Sequence, residues 1–174
     1  FWPRDRRICQ WEVTKMKTGP IQTGDISAGD ARFAIVAARF NHEIVNNMLS
    51  AAEACLLEQG VAHESIDILY VPGAFELPLL ASELANSGRY QAIITLGCVI
   101  RGDTPHFDFV CSQAASGIMQ VGLDSGVPVI FGVLTTDTLE QAQLRSQLNG
   151  ENKGVDAALC ALEMNNVLNQ IREN

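Results

Sequence analysis

No stretch of this sequence reaches the roughly 18 consecutive apolar residues that a membrane-spanning helix requires. The opening segment has no apolar core of the kind that marks a secretion signal. Positive charge is scarce: 12 Lys and Arg stand against 20 Asp and Glu, a formal charge of -8. Nucleic acids and anionic membranes both want a basic footprint, so neither is an expected partner. An anionic small substrate would need a local basic pocket. There is no Gly-x-Ser-x-Gly, no P-loop, no His-Glu-x-x-His, and no glycine-rich turn after the first apolar run, where Phe40-Asn41 stands instead. The five cysteines, Cys9, Cys55, Cys98, Cys111 and Cys160, form no Cys-x-x-Cys and no zinc-type spacing with histidine. Their apolar settings read as buried, reduced thiols, which points to the cytoplasm or another reducing compartment.

What is present is enough for one globular domain. At 174 residues and 47% hydrophobic, without low-complexity tracts, the chain can bury about 70% of the surface its unfolded form exposes. Residues 1–30 read as a polar N-terminal lead, largely flexible or engaged with a neighbouring subunit, with Met16 as a candidate start. Residues 31–174 read as a single domain. Within it, residues 32–38, 65–71, 91–100 and 127–134 are predicted strands. They alternate with predicted helices over 42–59, 75–85, 105–123, 138–148 and 153–171. Alternation of this kind, with strands apolar on both faces, predicts an α/β fold: a three-layer αβα sandwich around a four-stranded parallel, flavodoxin-like sheet. In such a sheet ligands gather outside the carboxyl ends of the strands. The segments expected there are Phe40-Asn41, residues 73–76, residues 98–108 and residues 135–138.

The stretch 93–109, IITLGCVIRGDTPHFDF, carries the strongest chemical signal. A buried strand passes into a turn rich in glycine and ionisable groups. Thr104 followed by Pro105 reads as a helix N-cap with proline at the first helical position, which puts His106 in the first turn. Free backbone N–H groups there attract anions, and an imidazole exchanges protons near neutrality, so a phosphate and a proton-transfer group could share this turn. His42 and His63 have surface settings and no special role. Asn41 either simply caps its helix or also meets a ligand for which Phe40 offers a flat surface. Glu76 at a helix start is either favoured there by the dipole or placed to meet a ligand. Arg145 and Lys153 flank a loop as ordinary solvated charges or as phosphate ligands; a lysine opening a helix opposes the dipole, a local violation of the sort functional sites carry.

Five segments, ARFN at 38–41, VPGAFELPL at 71–79, LGCVIRGDTPHFDFVC at 96–111, PVIFGVLTTDTLEQA at 128–142 and NKGVDAALCALEM at 152–164, resemble the 6,7-dimethyl-8-ribityllumazine synthase family in order and spacing. The resemblance implies the penultimate step of riboflavin biosynthesis. In that step 5-amino-6-(D-ribitylamino)uracil and 3,4-dihydroxy-2-butanone 4-phosphate condense, losing phosphate and water, without metal or organic cofactor. It implies that Phe40 stacks on the pyrimidine, that Asn41, Ala74, Phe75, Glu76, Val99 and Ile100 complete the ring and ribityl pocket, and that His106 transfers protons. Gly102, Asp103 and Thr104 would hold the phosphate with Arg145 and Lys153. Phe131, Arg145 and Lys153 would come from an adjacent subunit of a pentamer, alone or within a 60-subunit icosahedral shell. The loop RSQLNGEN at 145–152 departs from the family's small, glycine-containing sequence, and Cys98 stands where threonine is common. Two alternatives are a related archaeal-type riboflavin synthase, disfavoured by the GAFE, GDTPHF and NKG segments, and a flavin- or lumazine-binding or shell-forming homologue without turnover.

Overall fold

In a computed structural model that describes residues 30–172, six consecutive residues, Phe33–Ala38 (β1), are buried without exception. A strand covered on both faces must lie inside a sheet, and β1 pairs in parallel with Ile66–Val71 (β2) on one side and Ala92–Ile100 (β3) on the other. Val129–Thr136 (β4) adds to β3, also in parallel, giving the order β2-β1-β3-β4. Parallel neighbours need crossovers, supplied by helices His42–Glu58 (α1), Leu77–Asn86 (α2), His106–Ser125 (α3), Leu139–Leu144 (α4) and Lys153–Arg172 (α5). The three-layer sandwich predicted from the sequence is the observed fold. The predicted N-terminal lead lies, except for its last residue, outside the described residues.

Alternation along β1 assigns the two layers. Phe33, Ile35 and Ala37 face a core shared with Val45, Met48 and Leu56 of α1 and Ala158, Ala161 and Leu162 of α5. Ala34, Val36 and Ala38 face the opposite core, with Leu77 and Ala81 of α2 and Ala114 and Ile118 of α3. The chain leaves β1 for β2 in one direction and returns across it to β3, so the order reverses between β1 and β3. A crevice outside the carboxyl ends at that point is the usual ligand position in such sheets.

Most boundaries agree with the sequence reading to within two residues, and four places show a difference with a structural cause. Residues His63–Ser65 form a 3-10 turn before β2, and Ala74–Glu76 form another before α2. β4 begins and ends two residues later than predicted: Pro128 has no N–H to place in a ladder, while Thr136 accepts from the Arg101 N–H at 2.9 Å. α4 stops at Leu144, four residues before the predicted end at 148, because Ser146 and Asn152 form an antiparallel bridge. Asn152 fastens that loop to α1 through the Asn47 carbonyl at 3.2 Å.

Of the cysteines in the described residues, Cys55 and Cys98 are buried, Cys111 and Cys160 are half-buried, and all four are free. Cys9 lies outside the described residues. Burial pushes the Cys98 thiol up to about 11, and burial followed by the nearby Glu58 and Asp156 charges does the same to Cys55. In native protein at mildly alkaline pH, a thiol reagent should therefore modify Cys111 and Cys160 well before Cys55 and Cys98, as peptide mapping by mass spectrometry would read. The unfolded chain releases these protons near pH 9 and the folded chain near 11. The stability they contribute is therefore complete below the lower value and is lost as the pH rises towards the upper one.

Candidate active site

The crevice is framed first by the end of β1. Main-chain bonds from Arg39 N–H to the Val71 carbonyl (2.9 Å) and from Phe40 N–H to the Pro72 carbonyl (3.1 Å) carry the β1–β2 pairing past the strand ends. The Phe40 side chain is 69% exposed. Its ring lies so close to residue 73 that a Cβ there would come within 2.7 Å of ring carbon Cδ2. Gly73 thus lets the ring settle against the next turn. Asn41 follows with φ 55°, the one non-glycine residue of positive φ among the described residues. Asparagine tolerates this left-handed conformation better than most side chains. It stands at the α1 N-cap position, yet its side chain makes no cap bond. Instead Nδ2 donates to the Cys98 carbonyl at 2.9 Å, spanning the gap between β1 and β3. The predicted capping role gives way to a strut across the crevice.

The second wall is the turn after β2. Glu76 turns its carboxylate back, and Oε2 accepts from the Gly73 N–H at 2.9 Å. Ala74 is buried against this turn, and Phe75 is exposed beside it. One carboxylate thus closes the turn and keeps lone pairs to spare.

β3 supplies the third wall. Cys98 is buried and Val99 and Ile100 are half-buried; the exposed segment 101–106 follows. The helix boundary here differs by one residue from the sequence reading. Pro105, not Thr104, occupies the N-cap position, and its carbonyl accepts from Asp108 N–H at 3.0 Å. His106 is the first residue of α3 and is open to solvent. Gly102, Asp103 and Thr104 form an exposed turn directly before it.

Arg101 was given no role by sequence reasoning, although it lies within the motif. Its Nε donates to Asp137 Oδ1 at 2.9 Å, its two Nη atoms reach the Asp108 carboxylate at 3.1 and 3.3 Å, and its guanidinium carbon stands 4.1 Å from the centre of the Phe107 ring. The carboxylates of Asp108 and then Asp137 hold this guanidinium above its already high range. An arginine with an aspartate seven positions on, at the start of the next helix, was the signal in the sequence that could have found it.

Among the described residues, the side chains of Phe131, Arg145 and Lys153 make no hydrogen bond or ion pair to the crevice residues above. Phe131 is 44% exposed and lies in register with Thr95, in the middle of β3. It is five residues from the end of β4, about 16 Å at strand rise. Arg145 follows α4 at its C-cap position, and its carbonyl accepts from Lys153 N–H at 2.9 Å, so the loop draws the two cationic residues together at the main chain. Next to Lys153, Gly154 packs on the Met48 carbonyl of α1, six residues or about 9 Å along that helix from its start at the crevice. Arg145 Nη1 donates to the Gln141 carbonyl at 2.9 Å. Lys153 Nζ bonds to Asp156 at 2.8 Å and Glu151 at 3.0 Å, and these carboxylates, Asp156 first, hold the ammonium above the usual lysine range. They also offset the charge that a lysine places at a helix N-terminus.

A separate groove of about 400 Å³ lies between α2 and α3, lined by Pro78, Leu79, Ser82, Gly117, Gln120 and Asp124 among others, and includes none of these residues. Among the described residues no three His, Cys, Asp or Glu side chains cluster in a way that could hold a metal ion, and no helix is long and apolar enough to cross a membrane.

Residues 30–169 match the family model described as 6,7-dimethyl-8-ribityllumazine synthase. A protein of Desulfatibacillum aliphaticivorans that bears the same description is 50% identical over 149 residues, spanning 86% of this chain and 96% of that one.

Proposed function

The chain belongs to the 6,7-dimethyl-8-ribityllumazine synthase family, and from that premise we infer how its residues divide the work. As a transferase of riboflavin biosynthesis, it condenses 5-amino-6-(D-ribitylamino)uracil with 3,4-dihydroxy-2-butanone 4-phosphate to give 6,7-dimethyl-8-ribityllumazine, phosphate and water. An amine attacking a ketone needs both partners held together, protons moved during imine formation, and a departing phosphate stabilised.

In this reading the pyrimidine stacks on Phe40 while Asn41, Ala74, Phe75, Glu76, Val99 and Ile100 line the ring and ribityl pocket. The lone pairs of Glu76 left over from the Gly73 bond accept from ribityl hydroxyls. His106 transfers the protons, and the Gly102, Asp103 and Thr104 turn receives the phosphate. The observation that carries the reading is the Asn41 strut to the Cys98 carbonyl, because it fixes the Phe40 corner against the strand that leads to His106.

Arg145, Lys153 and Phe131 act in this reading on the site of a neighbouring subunit. Their separation from the crevice of their own chain supports that division, as do exposed apolar side chains at Leu79, Phe109, Leu123 and Leu144, since such surface usually marks an interface. The assembly is a pentamer or a shell of pentamers, and the free thiols fit a cytoplasmic enzyme. Incubating the purified protein with both substrates and following lumazine absorbance tests the reading, with mass measurement in solution alongside. Product formation by a multimer is the expected result. Bound lumazine without turnover would favour a binding protein, and a fully active monomer would remove the shared site.

A further inference from the structure

We infer that Arg101 is a positioning residue for the phosphate half of the reaction: clamped between Asp108 and Asp137 and seated on Phe107, it neutralises two carboxylates beside the 102–104 turn and holds that turn to the first turn of α3. This rests on the reading of residues 102–104 as the phosphate turn given above.

The clamp is tied at both main chain and side chain. The Arg101 N–H donates to the Thr136 carbonyl at 2.9 Å, joining the end of β3 to the end of β4. The side chain then meets Asp137, just past β4, and Asp108, in the first turn of α3. Three segments of the carboxyl edge therefore converge on one guanidinium. Arginine suits the position because its planar fork can face one carboxylate with two nitrogens, reach a second with Nε and stack on a ring at the same time. Lysine could neutralise the carboxylates without spanning them.

Stability alone does not explain the arrangement. The three side chains are 43%, 61% and 68% exposed, and ion pairs in such settings add little to folding. The local charge gives a functional reason. Asp103 belongs to the turn proposed to receive a phosphate dianion, Asp108 and Asp137 flank it through Arg101, and Arg101 is bonded to those two of the three. Without it the incoming phosphate meets a concentration of negative charge, and the first turn of α3, which carries His106, loses its link to β4.

The test uses the full chain and steady-state kinetics on each substrate in turn. Arg101→Gln should raise KM for the butanone phosphate by about 10-fold and leave KM for the ribitylaminouracil within about 2-fold, with an unchanged Tm. Adding Asp137→Asn to that variant removes the orphaned carboxylate and should recover KM to within about 3-fold of wild type. Arg101→Lys, which keeps the charge, should fall between the two and serves as the readout if the glutamine variant fails to fold. Both KM values rising together, or no recovery on removing Asp137, would overturn the inference.

Titration with inorganic phosphate separates this idea from the reading on which it rests. A wild-type protein that makes no lumazine would sink the functional reading alone, provided it still bound phosphate about 10-fold more tightly than Arg101→Gln. Equal phosphate affinity in the two proteins, or none in either, would sink the inference.

Discussion

The His106→Ala protein is expected to fold normally and to form lumazine about 100-fold more slowly than wild type, or somewhat less slowly than that, without losing activity altogether. The fold should tolerate the change because His106 is exposed at the start of α3 and its ring makes no hydrogen bond to the described residues. The rate should fall because imine formation and dehydration move several protons, and a positioned acid-base group typically contributes a factor of about 100 or more. It should not vanish, because holding an amine against a ketone supplies a larger share of the acceleration, and the Phe40 and Glu76 walls remain. Added imidazole should restore part of the lost rate. A loss many orders of magnitude larger with folding intact, or no loss, would contradict the role assigned to this residue.

The Gly154→Ala protein is expected to be destabilised by about 3 kcal/mol, near the top of the usual range for forcing an extra carbon into a packed interior. A Cβ at this position would overlap the Met48 carbonyl, which is backbone of α1 and cannot swing aside as a side chain would. α5 would have to lift from α1 at its first turn, which also carries Lys153 and the Asn152 bonds to Asn47 and Gly154. The gain in helix propensity from alanine, at most about 1 kcal/mol, does not offset that. Thermal unfolding should show Tm lowered by roughly 6–12 °C, given a few degrees per kcal/mol for a chain of this size. Gly102→Ala, whose Cβ meets nothing within 4 Å, should leave Tm unchanged and serves as the control.

The sheet and its layers were legible because their cause is local. Buried β-branched strands, amphipathic helices and short connections each leave a periodic trace, and the residues of α1 that the structure buries, Ile44, Val45, Met48, Leu49, Ala52, Cys55 and Leu56, recur at helical spacing in the sequence. What was not legible depends on partners far away in sequence. Asn41 looks like a cap until the Cys98 carbonyl, 57 residues on, is found to be its partner. α4 reads as longer than it is because the bond that ends its loop, from Asn152 to Asn47, spans 105 residues. Arg101 passed as one more charge in a turn because its second carboxylate, Asp137, lies 36 residues later. The family motifs named Phe131, Arg145 and Lys153, but neither their spacing nor one chain's geometry brings them to His106.

The most direct measurement is therefore made between subunits. His106→Ala subunits and Arg145→Gln subunits, each poorly active alone, are co-assembled in equal amounts and assayed for lumazine formation. If every site joins the imidazole of one chain to the guanidinium of its neighbour, about one junction in four regains both groups, and the mixture should recover about a quarter of the wild-type rate. A mixture no more active than its two parents would show that each chain works with its own residues, and would contradict the shared site.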